Sequence, residues 1–320
     1  MADDEHATPS PDEAFGALGN ETRVAILRAL GEAGEPLSFS ALYDRVDVSD
    51  TGGFNYHLDK LAGHFVRETD AGYELARPGS RVVEAVLSGA VTETPVLELT
   101  EVDHPCPLCG APVAVTFRDE RVELYCTDCA GNYGSGATAA ADDEYGYLGY
   151  HPLPPAGLQG WDAAETLRAA LTWGHLELMA AAGGVCPRCS ATLDREVETC
   201  PDHDASDGLC RGCGNRHAVT VGLSCTNCIY DESGSAIVGL AGAPPLLAFL
   251  TARGYDPVTP DPDSHAAVSR VLNDYEERVR STDPLRVRFT FSVDGDELEL
   301  TVEGDLDIVE AIERSGATDG

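Results

Sequence analysis

The chain has 320 residues, a formal net charge of −34 and a hydrophobic content of 43%. That apolar content excludes an intrinsically disordered acidic protein, and the length is enough for two or three domains. The acidic residues are spread along the whole sequence, which favours a folded protein with a carboxylate-coated surface over one with acidic tails. Because the Debye length falls to about 3 Å at 1 M salt, such a surface is tolerable in a halophilic cell.

The sequence contains neither a secretion signal nor a membrane span that we can recognise. Its start, Met1–Glu13, is acidic and lacks an apolar region. The best apolar run, Ile237–Leu250, is short and is interrupted by Pro244 and Pro245. We therefore expect a cytoplasmic protein that does not associate with membranes. Thiols stay reduced in that compartment, so C-x-x-C pairs indicate metal binding rather than disulfides.

The N-terminal part of the chain has the pattern of a small helical domain. Residues 1–10 are expected to form a flexible tail, and 11–90 show helical periodicity interrupted by one hairpin. The expected elements are helices capped by Asn20, by Ser38 and by Ser49 or Asp50, a hairpin over 65–75, and a last helix over 80–87. Three helices, a hairpin and a helix in this order are typical of a winged helix-turn-helix DNA-binding domain.

The rest of the chain is expected to form smaller regions, which makes the fold class α+β and multi-domain. A surface loop is expected over 131–160, which is rich in Gly, Ala, Pro and acidic residues. The other regions are a linker or entering strand (91–104), zinc ribbon 1 (105–130), a connecting helix (161–182), a zinc-binding region with two sites (183–230), a small C-terminal region of helices and a β-hairpin (243–303), and a terminal helix or tail (304–320). Within 243–303, helices are placed at 245–253 and at 265 onward to 280, and Asp294-Gly295 marks the hairpin turn.

Eleven cysteines and one histidine form six short pairs, each of the form C-x-x-C or C-x-x-H. The pairs are Cys106/Cys109, Cys126/Cys129, Cys186/Cys189, Cys200/His203, Cys210/Cys213 and Cys225/Cys228. Twelve soft donors are enough for three four-coordinate zinc sites. Since each site is closed by four donors, structural zinc is favoured over catalytic zinc. Four thiolates also suit an iron–sulfur cluster, but His203 argues against one at its site.

Spacing alone does not determine how the six pairs combine. The favoured grouping is sequential: Cys106/Cys109/Cys126/Cys129, then Cys186/Cys189/Cys200/His203, then Cys210/Cys213/Cys225/Cys228. It takes each segment between pairs as a short hairpin. An interleaved arrangement, in which Cys186/Cys189 join Cys210/Cys213, stays open for the last two sites. The neighbouring His104 and His217 are expected to be surface residues or to lie next to the ligands.

The third predicted helix indicates DNA binding. Its apolar residues Phe54, Leu58 and Leu61 must face the core. The residues left as candidates for DNA contact are Thr51, Gly52, Asn55, Tyr56 and Lys60, together with Arg67 in the hairpin. Asn, Thr and Tyr can reach base edges or phosphates, and Lys can bind phosphate. In this strongly acidic chain, 51–67 contains a single acid, Asp59, and the only lysine.

Two motifs in this part of the chain resemble the ArsR-type winged-helix regulators. They are FGALGNETRVAIL, from Phe15 to Leu27, and NYHLDKL, from Asn55 to Leu61. The longer layout is similar to multi-domain ArsR-like proteins of halophilic archaea. The resemblance implies DNA binding, commonly as a homodimer. Metal-sensing members carry cysteine ligands on their DNA-binding helices, and this chain has no cysteine before Cys106, so that sensing mechanism is not supported.

The sequence as a whole predicts a DNA-binding transcription regulator with structural zinc sites in an accessory region. The expected partner is double-stranded DNA, and the zinc region is a candidate surface for a protein partner. The alternative is a scaffold similar to a basal transcription factor, which would use the winged helix and ribbons for protein contacts. An enzyme is not expected, because no nucleophile–base pair, phosphate loop or open metal site is recognisable.

Overall fold

The computed structural model describes residues 9–134, 145–257 and 262–316. Within these ranges the protein is mixed α and β, and every strand pairing is antiparallel. The chain divides into two compact units, Met1–Glu93 with Pro154–Ala156 and Thr94–Leu153 with Gly157–Gly320. Most of the expected flexible tail, residues 1–8, lies outside the described ranges.

The first unit contains helices and one hairpin. In chain order these are α1 (Pro11–Leu18), α2 (Glu21–Ala33), α3 (Phe39–Tyr43), α4 (Thr51–Leu61), β1 (Val66–Thr69), β2 (Gly72–Leu75) and α5 (Arg77–Leu87). Asp50, rather than Ser49, caps α4: its carboxylate accepts hydrogen bonds from the backbone N–H groups of Gly52 at 3.1 Å and Gly53 at 2.7 Å. Such a cap stabilises a helix by about 1 kcal/mol.

Helix α4 is fixed by one apolar stripe. Phe54, Leu58 and Leu61 are each at most 1% exposed, which agrees with their i, i+4, i+7 spacing. The Phe54 ring also meets the rings of Phe39 and Tyr43 edge-on, with centroids 5.3 and 5.2 Å apart. The helix is therefore anchored through one face, and its opposite face is left to solvent.

The second unit begins with a four-stranded sheet in the order β3-β4-β5-β6. Its strands are β3 (Leu97–Pro105), β4 (Pro112–Arg118), β5 (Arg121–Cys126) and β6 (Gly146–Pro152). Strand β6 corrects the expected surface loop over 131–160, of which 135–144 lie outside the described residues. It pairs with the free edge of β5 and buries Tyr147 and Leu148. Its glycines weaken the strand signal in the sequence.

Helix α6 (Ala163–Ala182) packs on this sheet, where a connecting helix over 161–182 is expected. A short 3₁₀ helix, Pro155–Leu158, precedes it in the chain. Leu167, Ala170 and Leu171 join the buried cluster formed by the sheet. None of the described helices, α6 included, is long and apolar enough to cross a membrane.

Two further sheets and three helices complete the second unit. The first sheet has the order β7-β8-β9 and the second β10-β11-β12-β13. The elements are β7 (Leu193–Thr199), β8 (Val219–Cys225), β9 (Asp231–Ser235), α7 (Ile237–Leu240), α8 (Pro244–Ala252), α9 (Pro262–Asn273), β10 (Glu276–Thr282), β11 (Leu285–Val293), β12 (Asp296–Glu303) and β13 (Asp307–Arg314). The inward residues of β8, β11 and β12 share one buried cluster with α8 and α9.

The structure corrects two expectations about the C-terminal region. The helix expected over 265–280 ends at Asn273, and Glu276–Thr282 form β10, which pairs with β11. The expected terminal helix or tail over 304–320 contains β13, which pairs with β12 from Glu297 to Glu303. Both segments are edge strands, and pairing with an inner strand satisfies their backbone groups, a long-range effect that local periodicity does not reveal. Residues 317–320 lie outside the described part of the chain.

The packing of α4 predicts unequal effects for two neighbouring substitutions. Phe54→Ala should lower the free energy of unfolding of the first unit by about 3–5 kcal/mol, because it leaves a cavity among buried rings. Tyr56→Ala is the matched control, since Tyr56 is 55% exposed, and should change it by no more than about 0.5 kcal/mol. Denaturant unfolding in concentrated salt measures both, and equal losses would contradict the described packing.

Candidate metal centres and the exposed face of helix α4

The first ligand cluster lies where β3 and β5 end. It consists of Cys106, Cys109, Cys126 and Cys129, whose sulfur atoms all lie within 4.8 Å of one another. The Cys109 and Cys126 sulfurs are 3.4 Å apart. The backbone N–H groups of Leu108 and Asp128 each point at a cysteine sulfur at 3.4 Å, as they do when a tight turn presents thiolates. The sequential grouping is correct for this cluster, which could hold one metal ion.

The other two clusters combine the pairs in a way that the sequence analysis did not consider. One consists of Cys186, Cys189, Cys225 and Cys228, and the other of Cys200, His203, Cys210 and Cys213. In the first, the Cys186 and Cys228 sulfurs are 3.7 Å apart and those of Cys189 and Cys225 are 3.4 Å apart. The outermost pairs of the 186–228 segment therefore enclose the inner ones, and both the sequential and the interleaved groupings are wrong here.

Strand β7 explains this nested pairing. The residues between Cys189 and Cys200 form a strand of seven residues instead of a short hairpin. At about 3.3 Å per residue, its ends are about 20 Å apart, too far for one ion. In the antiparallel pairing of β7 with β8, Leu193 lies opposite Cys225 and Thr199 lies opposite Val219. Each end of this two-stranded ladder therefore collects its own four ligands.

His203 is oriented for a role as the fourth donor of its cluster. Its Nδ1 atom lies 3.6 Å from the Cys213 sulfur, and its Nε2 atom lies 3.1 Å from the backbone carbonyl oxygen of Arg216. A carbonyl partner on one ring nitrogen fixes the tautomer and presents the other nitrogen as a lone-pair donor, as in known metal-bound histidines.

The thiols in these clusters differ in acidity for local reasons. Burial and the nearby Cys126 raise the pKa of Cys106 to about 11, despite opposing backbone hydrogen bonds. Backbone N–H groups of Asp204, Cys213 and Gly212 lower the pKa of Cys210 to about 6. Adjacent thiolates repel one another, so ionisation of all of them requires a cation among them. Sets of four soft donors at this spacing fit a tetrahedral metal ion.

The candidate DNA-contact residues all lie on the surface. All six are exposed to solvent: Thr51, Gly52, Asn55, Tyr56, Lys60 and Arg67. The Lys60 ammonium lies 5.6 Å from the centroid of the Tyr56 ring, and the Asn55 side chain donates to the Asp59 carboxylate at 3.1 Å. Arg67 is engaged in an ion pair with Glu74 across the β1–β2 hairpin, which makes it less available than Lys60.

The structure also places the two histidines that flank the ligands. His217 is buried rather than on the surface: its ring stacks on Tyr275 with centroids 4.0 Å apart, and Nε2 lies 3.0 Å from the carbonyl oxygen of Asn273. His104 is half-buried and lines a cavity with His151, His175 and His265. Nothing in the sequence pattern predicts this cavity, because its four histidines lie on four elements far apart in the chain.

Two family models match the chain. A model described as domain of unknown function DUF7351 matches residues 103–308, more than half of the chain and all twelve candidate ligands. A second, described as domain of unknown function DUF7347, matches residues 11–86, from α1 into α5. Comparison with curated proteins and comparison with solved structures each found no match.

The nested pairing predicts which thiols lose protection when one ligand pair is removed. Cys225→Ala with Cys228→Ala should make Cys189 reactive towards iodoacetamide in the metal-loaded protein, because two of its three partners in the cluster are gone. Cys213 should stay protected, although both Cys189 and Cys213 are exposed. Peptide mass spectrometry reads out the modified cysteines.

Ser224→Ala, at an exposed position next to the same turn, is the matched control and should leave all eleven cysteines protected. The opposite pattern, a reactive Cys213 and a protected Cys189, would restore the sequential grouping.

Proposed function

The chain belongs to the DUF7351 family, and we propose that it is a transcription regulator that binds double-stranded DNA through its first unit. The observation that carries this proposal is the division of α4 into two faces. Phe54, Leu58 and Leu61 bury one face. The face they leave exposed has the polar groups Asn55 and Tyr56 and the only lysine, Lys60.

The element order supports a winged helix-turn-helix interpretation of the first unit. Residues 44–50 connect α3 to α4, so α4 takes the place of the recognition helix and the β1–β2 hairpin that of the wing. Gly52 and Gly53 have no side chains, so the first turn of α4 can approach a DNA backbone closely, and Gly52 is exposed. A helix of this kind can enter the major groove end first, with Thr51 and Asn55 near base edges.

A net charge of −34 opposes DNA binding at low salt, but the local charge on this face does not. In concentrated salt, charges more than a few ångströms apart are screened, so only groups close to the phosphates matter. Lys60 makes no ion pair with any described residue, and Asp59 is already bonded to Asn55. Since salt also weakens phosphate contacts, much of the specificity must come from short-range contacts by Asn55, Tyr56 and Thr51.

For the second unit, we propose that three structural zinc ions occupy the three ligand clusters. The donor sets, two of four cysteines and one of three cysteines with His203, are those that zinc prefers in closed structural sites. Each cluster joins the ends of short strands or turns, as in zinc ribbons. In this role the ions supply folding free energy at the turns that carry the ligands.

A second candidate function, a protein-contact scaffold, is favoured by exposed apolar side chains in the second unit. The Ile229 side chain next to Cys228 is fully exposed, and Trp173 and Leu176 on α6 are 43% and 47% exposed. Such residues are frequent in protein interfaces. The accessory unit of a regulator would use the same surface for a protein partner, so the DNA-binding test below separates the two functions.

The test is DNA binding by the full chain in concentrated potassium chloride. Selection from fragmented genomic DNA, followed by anisotropy on a recovered site, should give salt-dependent binding. Asn55→Ala should weaken binding to that site by about 1–3 kcal/mol if it contacts a base. Lys60→Ala should reduce the slope of log affinity against log salt concentration by about 1, because it removes one phosphate contact.

Arg28→Ala is the matched control, because Arg28 is an exposed cation on α2, outside the exposed face of α4. It should leave the affinity and the slope unchanged. Recovery of no DNA above background, or equal effects of all three substitutions, would overturn the DNA-binding proposal and leave the scaffold function.

A further inference from the structure

The second unit contains a cavity of about 830 Å³ that none of the three ligand clusters uses. Strands β6, β8 and β9 and helices α6 and α9 contribute its walls. Four of the nine histidines of the chain line it: His104, His151, His175 and His265. A concentration of imidazoles in one largely apolar cavity is the pattern expected of a binding site.

Backbone geometry brings these histidines together. Position 174 on α6 is a glycine, and a Cβ atom there would lie 2.5 Å from Nδ1 of His151. The glycine thus allows β6 and its histidine to approach α6 next to His175. In the lining of the same cavity, the rings of His104 and His265 have centroids 6.2 Å apart and are tilted by 55°.

Two of the imidazoles have a buried nitrogen without a partner among the residues that the structure describes. His175 is 6% exposed, and the backbone carbonyl of Pro257 is its hydrogen-bond partner. Its Nε2 atom has no partner among the described residues, and neither does Nδ1 of His265. Buried polar atoms nearly always have partners, so these two nitrogens are sites where a bound ligand would complete the set of contacts.

The imidazoles are held in their neutral form, which is the form that binds metals. Burial, followed by the neighbouring histidines, lowers the pKa of His151 to about 4 and that of His265 to about 3. Burial also lowers the pKa of His175. Their lone pairs are therefore available at neutral pH without loss of a proton.

We propose that this cavity is a fourth metal site, which binds a divalent first-row transition-metal ion through His151, His175 and His265, with His104 beside them. Nitrogen donors favour Ni²⁺, Co²⁺, Cu²⁺ and Zn²⁺ over Mg²⁺ and Ca²⁺, which prefer oxygen. Glu196 and Glu198 also line the cavity, and carboxylates this close attract cations and repel anions even where salt screens distant charges. A cation thus suits this site better than an anionic small molecule.

The histidine site differs from the cysteine clusters because its ligand atoms do not already lie close together. Among the described residues, the cysteine clusters alone bring three or more ligand atoms within 4.8 Å of one another. The imidazoles must therefore rotate towards the ion, and binding would draw β6, α6 and α9 together. Such a site releases its ion more readily than a closed set of four thiolates, which suits a reversibly bound metal.

The test is a titration of the full, zinc-loaded chain with Ni²⁺. One additional equivalent of Ni²⁺ should bind while three zinc ions per chain stay in place, as measured by equilibrium dialysis and elemental mass spectrometry. The nickel absorption spectrum should lack thiolate charge-transfer bands, because the donors are imidazoles. His265→Gln should weaken this binding at least tenfold and leave the zinc content unchanged, since loss of even an outer-shell partner costs about 10–100-fold.

His64→Gln is the matched control, because His64 is a half-buried histidine in the first unit, and it should bind Ni²⁺ as the parent does. If His265→Gln fails to fold, the spectrum of the parent protein still decides the matter. Absence of additional Ni²⁺, displacement of zinc with thiolate bands, or equal affinity in His265→Gln would overturn the proposal. None of these outcomes bears on DNA binding by the first unit.

Discussion

The antiparallel ladder between β7 and β8 is the constraint on which the organisation of the second unit depends. Its register places Leu193 opposite Cys225 at one end and Thr199 opposite Val219 at the other, so each end gathers a separate set of four ligands. Inward residues of β8, among them Val219 and Val221, continue into the buried cluster with β11 and β12. A proposed ion at each end would thus hold the ladder on which the C-terminal helices and sheet pack.

Both units have buried apolar cores, but only the second also contains candidate metal ligands. The first has no cysteine and holds α4 by apolar packing around Phe54 and by the Asp50 cap. The second has two buried apolar clusters of its own and, in addition, all twelve candidate ligands, which lie at turns and strand ends. The proposed activities follow this division. Helix α4 is buried on one face and exposed on the other, whereas the histidine cavity belongs to the second unit. DNA recognition and metal binding can therefore be tested independently.

Sequence reasoning predicted features that depend on neighbours close in the chain. The six C-x-x-C and C-x-x-H pairs, the cap at Asp50 and the buried stripe of α4 all belong to this kind. It failed where distant segments decide the result: the nested pairing needs the β7–β8 register, and β6 and β13 become strands by pairing at sheet edges. The histidine cavity is the extreme case, because His104, His151, His175 and His265 show no spacing pattern and meet only in the folded unit.

The most direct measurement for the central claim is hydrogen–deuterium exchange before and after removal of metal with a chelator. The backbone amides of β7 and β8, such as those of Val197 and Val221, should lose protection when the ions leave. The amides of α2 and α4 should keep theirs, because Leu27 and Leu58 are buried in an apolar core that contains no cysteine. If β7 and β8 remain protected in protein shown to be free of metal, metal ions in the ligand clusters do not hold the ladder together.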